Sequence, residues 1–295
     1  MIKGVYCANC GQERVRFNGK NRDGSQRHVC GNCGSHKPPK KGNKKLTPNI
    51  LVFDIENAPL EAYVWNTQVW NARISPSQLI QDWNMISWSA KWLNDSKIMN
   101  ACLTPKESKD RDDERVVKKL WKLFDKASIV VAHNGRKFDV PMANTRFIKY
   151  GMKPPSPFKI VDTLRMARGS FNITYNKLDY LGEFLGLGRK LPTEFDLWVR
   201  CLNGERKALK EMQTYNDQDV ILLEEVYHKL KSWGKSHPNY NVYHNTKDCC
   251  STCGSKNLKR KGEYVTMVNS FDTFQCRDCG SFSRVSKNKL VSVAT

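Results

Sequence analysis

Residues 50–56 read Ile-Leu-Val-Phe-Asp-Ile-Glu, an apolar run rich in β-branched side chains that carries two acids near its end. Such a run predicts a buried β-strand. Side chains alternate along a strand, so Asp54 and Glu56 share one face while Phe53 and Ile55 share the other. Two neighbouring carboxylates in an apolar setting repel each other, and a divalent cation is the natural compensation. A solvated strand end is the alternative, which this pair alone does not exclude.

A second acidic segment follows another apolar run. Residues 129–132 read Ile-Val-Val-Ala and residues 133–139 read His-Asn-Gly-Arg-Lys-Phe-Asp. Asp139 is therefore predicted to begin a helix at the end of a sheet strand, where α/β proteins bind ligands. An N-cap role is the alternative for this residue.

A third acidic segment, Tyr-Asn-Asp-Gln-Asp at 215–219, opens a run with helical periodicity. Tyr215 and Asp219 are four residues apart, so they lie one turn apart on the same helical face. Asp217 points elsewhere and is predicted to be solvated.

The apolar pattern between the acids predicts an α/β fold with a mixed sheet. Strand-like runs occur at 50–55, 85–93, 96–103, 128–132 and 159–161. Helical spacing occurs at 112–126 and 139–150, and the chain is then mostly helical to residue 232. Early strands, then alternating strands and helices, then helices, indicate this class.

Phe-Asp-Ile-Glu, His-Asn-x3-Phe-Asp and Tyr-x3-Asp, in this order, resemble the DEDDy branch of the RNase H-like 3′→5′ exonucleases. The resemblance spans about residues 50–232. Val-Asp-Thr-Leu at 161–164 and the segments 177–181 and 186–190 agree with it. Membership would imply an RNase H-like mixed five-stranded sheet with helices, and a nuclease of the proofreading type.

The resemblance also implies roles for individual residues. The four metal-binding carboxylates would be Asp54, Glu56, Asp139 and Asp219, and Tyr215 would orient the attacking water. Two Mg²⁺ or Mn²⁺ ions would serve the nucleophile and the leaving oxygen of an in-line phosphodiester hydrolysis.

Asn134 and His133 are candidates for contact with the terminal nucleotide. For His133, a turn histidine with internal hydrogen bonds is an equally good interpretation. For Asp162, packing at a strand end is favoured over metal binding.

Cysteine pairs mark both ends of the chain. Eight of the eleven cysteines form four Cys-x2-Cys pairs, Cys7 with Cys10, Cys30 with Cys33, Cys250 with Cys253, and Cys276 with Cys279. Two such pairs place four thiolates around one structural Zn²⁺, so the spacing predicts a zinc ribbon at each end. The ribbon at the N-terminus resembles the N-terminal ribbon of many insertion-sequence transposases, and the C-terminal ribbon is similar to the same kind of unit.

Basic charge is concentrated in the same two regions. The chain has a net charge of +20, of which residues 1–46 contribute +9 and residues 245–295 contribute +5. Cations interleaved with aromatic side chains suit phosphate contact and base stacking. Nucleic-acid binding is therefore favoured for the ribbons. Purely structural ribbons and docking of an unidentified protein remain alternatives.

Composition shifts predict the domain boundaries. The expected organisation is an N-terminal ribbon at 1–36, a basic linker at 37–48, an exonuclease domain at 49–235, a second linker at 236–247 and a C-terminal ribbon at 248–295. No apolar run approaches the roughly 18–20 residues of a membrane span, and the N-terminus lacks the apolar segment of a secretory signal. We expect a cytoplasmic protein of a bacterial or phage-infected cell, with no membrane partner.

The predicted function is 3′→5′ exonuclease activity on single-stranded DNA, with RNA close behind, while the ribbons hold the polynucleotide. The competing hypothesis is a non-catalytic nucleic-acid-binding or recruitment protein that acts through its ribbons. A transposase accessory is a third interpretation, but it leaves the Tyr-x3-Asp segment unexplained.

Overall fold

The computed structural model describes residues 5–7, 15–38, 40–41, 48–67, 73–234, 237–244 and 249–285. Its strands are β1 Val5–Tyr6, β2 Val15–Lys20, β3 Gln26–Cys30, β4 Lys40–Lys41, β5 Ile50–Asn57, β6 Glu61–Ala62, β7 Leu79–Gln81, β8 Met85–Trp92, β9 Ile98–Cys102, β10 Ile129–Ala132, β11 Lys159–Asp162, β12 Leu258–Val265, β13 Ser270–Cys276 and β14 Phe282–Arg284. Its α-helices are α1 Pro105–Lys109, α2 Glu114–Phe124, α3 Asp139–Lys149, α4 Thr163–Ser170, α5 Leu178–Phe184, α6 Asp196–Leu202, α7 Arg206–Leu230 and α8 Tyr240–His244. A short 3-10 helix spans Pro76–Gln78.

The central sheet has five strands in the order β11-β10-β5-β8-β9. Strand β10 is parallel to both β5 and β11, whereas β8 is antiparallel to β5 and to β9. The predicted mixed five-stranded sheet is confirmed. Each of its strands overlaps one of the five runs that the apolar pattern predicts.

Helices cover both faces of this sheet because β5 is apolar on both sides. Leu51, Phe53 and Ile55 pack into one core cluster with apolar residues of α2 and α3. Ile50 and Val52 pack into a second cluster with α4, α5 and the C-terminal half of α7. Asp54 and Glu56 continue the second face by alternation, so they point toward α7.

Two elements differ from expectation. The strand predicted from residue 96 begins at Ile98, because the turn extends to Lys97, whose backbone N–H donates to Asp95 Oδ1 at 3.0 Å. Along the chain, β6 and β7 follow β5 and precede β8, and they pair with each other as a small antiparallel hairpin. This hairpin was not predicted, since its strands have only two and three residues.

The described parts of both ends contain short antiparallel sheets. Near the N-terminus, β2 pairs with β3 and β1 pairs with β4. Near the C-terminus, β12, β13 and β14 form a three-stranded antiparallel sheet. Among the helices described, none has the length and apolar character that a membrane span needs.

A buried charged network fixes the start of α2 against α3. Asp113 is fully buried and accepts hydrogen bonds from the backbone N–H of Met85 at 2.7 Å and from the Tyr150 hydroxyl at 2.5 Å. It also forms an ion pair with Arg146, whose guanidinium stacks near the ring of Trp83. A charge this deeply buried needs its partner, so the network has a strong influence on stability.

Replacing Asp113 with alanine should lower the free energy of unfolding by about 3–5 kcal/mol, since it leaves the Arg146 charge buried without its carboxylate. Urea denaturation followed by tryptophan fluorescence measures the change. Lys118→Ala is the control: it removes an exposed ion pair with Glu114 and should cost less than about 1 kcal/mol. Equal losses for the two variants would contradict the structural role of the network.

Candidate active site

Strand β5 brings Asp54 and Glu56 to the side of the sheet on which α7 packs. Both carboxylates are partly buried, and the regular pairing of β5 with β8 shifts register immediately after Glu56. Asn216 on α7 donates from Nδ2 to Asp54 Oδ2 at 2.8 Å, and it is itself fully buried. The helix therefore fixes the orientation of the first carboxylate.

Asp219 completes a cluster with this pair. It is fully buried on α7, and carboxylate oxygens of Asp54, Glu56 and Asp219 all lie within 4.8 Å of one another. The structure thus brings together three of the four predicted carboxylates from two distant segments of the chain.

Asp139, the fourth predicted carboxylate, is the first residue of α3 and is buried. The turn before it is tight: Asn134 has φ 64°, and a Cβ on Gly135 would lie 2.4 Å from the Cβ of Ala132. Asp139 lies outside the 4.8 Å group, but it is near enough for its charge to raise the pKa of Asp54.

Lys190 is a site residue that sequence reasoning did not single out. Its Nζ lies 2.5 Å from Asp219 Oδ2 and donates to the Tyr215 hydroxyl at 3.0 Å. Its backbone N–H donates to Asp179 at 2.9 Å, which fixes the loop that carries it. The sequence holds 49 lysines and arginines, and no spacing marks this one.

Electrostatics at the site favour protonated acids in the absence of a metal ion. Burial, together with neighbouring acids, raises the pKa of Glu56 to about 8 and that of Asp54 well above its usual range. Burial raises the pKa of Asp139 to about 7. Burial acts to lower the pKa of Lys190, but Asp219 and Asp54 outweigh it and raise that pKa.

Tyr215 is buried beside Asp219, as the helical spacing predicts. Burial raises the pKa of its phenol, so the hydroxyl is neutral at neutral pH. A neutral hydroxyl that accepts from Lys190 keeps its own hydrogen for a different acceptor.

The two candidates for nucleotide contact are placed differently. His133 has Nδ1 2.9 Å from the Thr163 hydroxyl and Nε2 2.9 Å from the Asn176 carbonyl, and burial lowers its pKa to about 4. Both ring nitrogens are thus engaged inside the protein, which favours the interpretation of His133 as a turn histidine. Asn134 remains a candidate, because its hydrogen bonds to described residues, such as that to Asp162, use its backbone and leave its side chain available.

Asp162 caps α4 and also holds the turn before α3. It accepts from the backbone N–H groups of Leu164 and Arg165 and from those of Asn134 and Arg136. These contacts favour the strand-end role of Asp162 over metal binding.

Asp217, by contrast, is not solvated as predicted. It accepts from Ser89 at 2.5 Å and from Asn100 at 2.9 Å, so it ties α7 to β8 and β9. The expectation was wrong because the sheet beneath this turn of α7 is polar.

The carboxylate cluster has the chemistry of a divalent-cation site. Hard oxygen donors suit Mg²⁺ and Mn²⁺. Within the described residues, Asp219 Oδ2 is paired with Lys190 Nζ at 2.5 Å, whereas the buried Oδ1 has no hydrogen-bond donor. A buried acceptor of this kind is normally satisfied, and a metal cation would satisfy Oδ1.

Cysteine sulfurs gather in both terminal regions. Cys250, Cys253, Cys276 and Cys279 form one group, with Sγ separations of 3.6 Å between Cys250 and Cys279 and 3.7 Å between Cys253 and Cys276. A tetrahedral zinc site with Zn–S bonds of about 2.3 Å needs about 3.8 Å, so this group fits zinc.

The N-terminal group contains Cys7, Cys30 and Cys33, with 3.6 Å between the sulfurs of Cys7 and Cys33. The fourth predicted ligand, Cys10, lies outside the described residues. Three of the four predicted ligands are therefore placed together.

Comparison with known proteins supports the fold of the core. Residues 87–231 match the family model described as the RNase H superfamily. The core therefore has an RNase H-like fold, as the ordered motifs predict. Among curated proteins, none matches the chain.

The family B DNA polymerase from the hyperthermophilic archaeon Pyrobaculum calidifontis is similar in structure. The likeness covers 87% of this chain and 35% of the polymerase chain, with 15% sequence identity and a TM-score of 0.45. This chain thus spans about a third of the polymerase's length. A likeness this weak carries no information on activity.

The raised pKa values predict how stability depends on pH. The folded state keeps protons on these acids that the unfolded chain releases near pH 4, so stability is lost progressively from about pH 4 upward, and the loss is complete above the folded pKa values of about 7 and about 8. Without Mg²⁺ or Mn²⁺, the free energy of unfolding should fall by about 1.4 kcal/mol per pH unit for each such group.

Thermal denaturation between pH 5 and 8.5, without chelators so that any zinc is retained, measures this effect. Asp54→Asn/Glu56→Gln should flatten the pH dependence, and added Mg²⁺ should reduce it in the wild type. Equal slopes for the two proteins would rule out a coupled acidic cluster.

The cysteine groups predict two zinc ions per chain. Cys253→Ser should reduce the zinc content, measured by elemental analysis of the purified protein, to one. Cys249→Ser is the matched control, because Cys249 neighbours the group but its sulfur contacts Asn241 at 2.6 Å instead. Retention of both ions by Cys253→Ser would contradict the C-terminal site.

Proposed function

We propose that this protein is a divalent-metal-dependent 3′→5′ exonuclease of the DEDDy type that acts on single-stranded nucleic acid. The observation that carries the proposal is the convergence of Asp54, Glu56 and Asp219 beside Tyr215 and Lys190. A purely structural cluster would gain nothing from burying three like charges together.

The residues divide into metal ligands and groups that handle the water. Asp54, Glu56, Asp139 and Asp219 would hold two Mg²⁺ or Mn²⁺ ions. When bound, such ions generate the nucleophile at neutral pH and stabilise charge on the leaving oxygen. Asn216 holds the Asp54 carboxylate in place through the bond at 2.8 Å.

Tyr215 orients the attacking water. Its phenol is neutral, so it acts by hydrogen bonding and not as a base. Lys190 donates to the phenol oxygen at 3.0 Å and thereby directs the phenol hydrogen away from itself. The ammonium also places a positive charge beside Asp219, where negative charge develops on the phosphate.

Two hollows beside the carboxylates suit the two parts of a nucleotide. One, of about 410 Å³, begins at Asn57 just beyond Glu56 and is lined by Phe138, Phe195 and Trp198. The other, of about 470 Å³, is lined by Tyr215, Lys207 and Lys210, together with Glu211 and the apolar residues Leu191 and Pro192. Aromatic walls accept a base by stacking and lysines accept phosphates, so a strand end would fit across both.

DNA is proposed as the first substrate and RNA as the second, because the same carboxylate geometry can serve both polymers. We also propose that residues 49–235 form the nuclease domain. The ribbons at 1–36 and 248–295, joined through linkers at 37–48 and 236–247, would bind nucleic acid. In the N-terminal hairpin, the exposed ring of Phe17, which follows Arg16, has its centroid 5.5 Å from that of His28, which follows Arg27.

The test uses single-stranded DNA and RNA of equal sequence, labelled at the 5′ end, with Mg²⁺ or Mn²⁺. The wild type should produce a ladder that shortens from the 3′ end and should leave circular single-stranded DNA intact. Asp219→Asn should reduce the rate by at least about a hundredfold, because it removes a charge that acts on the transition state.

Glu225→Gln is the matched control, since Glu225 is exposed on the same helix. It should cleave at the wild-type rate. Cleavage of circular DNA would contradict the exonuclease. Tight binding without cleavage of any strand would favour the competing hypothesis of a non-catalytic nucleic-acid-binding or recruitment protein.

A further inference from the structure

The pairing register of the C-terminal sheet sorts its side chains onto two faces. Paired residues on neighbouring antiparallel strands point to the same side, and residues two apart on one strand do so as well. Tyr264 pairs with Phe271, Arg284 with Thr273, and Phe282 with Gln275. One side, here called the aromatic face, therefore carries Lys259, Tyr264, Phe271, Thr273, Gln275, Phe282 and Arg284.

Charge is segregated between the two faces. Glu263 and Asp272 pair with each other across β12 and β13 and so lie on the opposite face. There Asp272 is neutralised by Arg260 at 2.7 Å, and Glu263 accepts from the Ser270 hydroxyl at 2.7 Å. Among the described sheet residues, the aromatic face thus has two cations and no carboxylate.

The aromatic face exposes rings that this small sheet does not use for packing. Tyr264 is 52% exposed and Phe282 is 60% exposed. Phe271 is buried beneath Arg284, whose guanidinium carbon lies 4.1 Å from the Phe271 ring centroid and 5.3 Å from that of Tyr264. The guanidinium is thereby held between two rings, with its position set before any ligand arrives.

We infer that the aromatic face is a stacking platform for single-stranded nucleic acid. Tyr264 and Phe282 each stack on one base, while Arg284 and Lys259 contact the backbone phosphates. The inference rests on the proposed function for the nature of the polymer, but it does not depend on catalysis.

The spacing of the rings favours a single strand over a duplex. Tyr264 and Phe282 lie opposite β13 residues four positions apart, so they are about 13 Å apart along the strand direction and about 10 Å apart across the sheet. Stacking on either ring needs a base whose own face is free, and in a duplex those faces are covered by neighbouring base pairs. Two separated rings therefore require an extended strand with unstacked bases.

The experiment measures binding of the full-length, zinc-loaded protein to fluorescein-labelled dT20, rU20 and a 20-base-pair DNA duplex by anisotropy. Every protein in this binding experiment also carries Asp219→Asn, which prevents cleavage of the probe. Tyr264→Ala/Phe282→Ala should weaken binding to the single strands by at least about tenfold, because each stacked base contributes substantially. Its affinity for the duplex should change by less than about twofold.

Two further variants separate stacking from general damage. Val265→Ala removes an apolar side chain that is 70% exposed on the opposite face, and it should bind as the parent does. Tyr264→Phe/Phe282→Tyr keeps both rings and should retain the affinity. Zinc content reports that each ribbon is intact, and comparison of dT20 with rU20 ranks the two polymers.

Unchanged affinity of Tyr264→Ala/Phe282→Ala for both single strands would overturn the platform, as would equal losses for single strands and duplex. If the wild-type protein cleaves single strands while either of these results is obtained, the proposed nuclease activity is retained and only the platform is rejected. If Tyr264→Ala/Phe282→Ala loses binding to single strands and the wild-type protein does not cleave them, the proposed nuclease activity is rejected and the platform is retained. A face used for protein docking would show no dependence of nucleic-acid affinity on these rings.

Discussion

Asp54, Glu56 and Asp219 are held together against their mutual repulsion, and the rest of the core can be understood from that constraint. Like charges within 4.8 Å, one of them fully buried, are unfavourable unless protons or cations compensate them. Among the described residues, the cation that pairs with this cluster is Lys190, whose loop is held by a hydrogen bond to Asp179. A single ammonium cannot balance four nearby acids, so the remaining charge must be met by protons or by metal ions.

The scaffold keeps the acids in place through polar contacts between helix and sheet. The turn of α7 that carries Asp219 contacts the sheet through polar groups. Asn216 forms hydrogen bonds with Asp54 and Ser87, and Asp217 forms a hydrogen bond with Ser89. Each of these polar groups has a specific partner, so sliding or rotation of the helix would break several hydrogen bonds at once. Apolar packing of Val220, Leu223 and Val226 then fixes the following turns.

Local patterns predicted much of this arrangement. Alternation along residues 50–56 placed Asp54 and Glu56 on one face, and helical spacing placed Tyr215 beside Asp219, because both relations depend only on neighbours in the chain. The resemblance of the ordered motifs to the RNase H-like exonucleases then implied the fold. Lys190, Asn216 and the Asp113–Arg146 pair were not found, since each is defined by a partner between 29 and 162 residues away. Asp217 was misjudged for the same reason.

Two kinds of metal site would stabilise this protein in different ways. The core buries two apolar clusters and a paired charge network, so it has the means to fold without a metal ion, at some cost from its acids. The terminal sheets are too small for that, and the apolar cluster described in the N-terminal one comprises Cys7, Val15 and Cys30. Where metal-bound thiolates take the place of an apolar core, the faces of the sheet are not needed for packing. Rings such as Tyr264 and Phe282 can therefore remain exposed. Under the proposed function, the soft ligands would support surfaces for binding, whereas the hard ligands would sit where charge develops during hydrolysis.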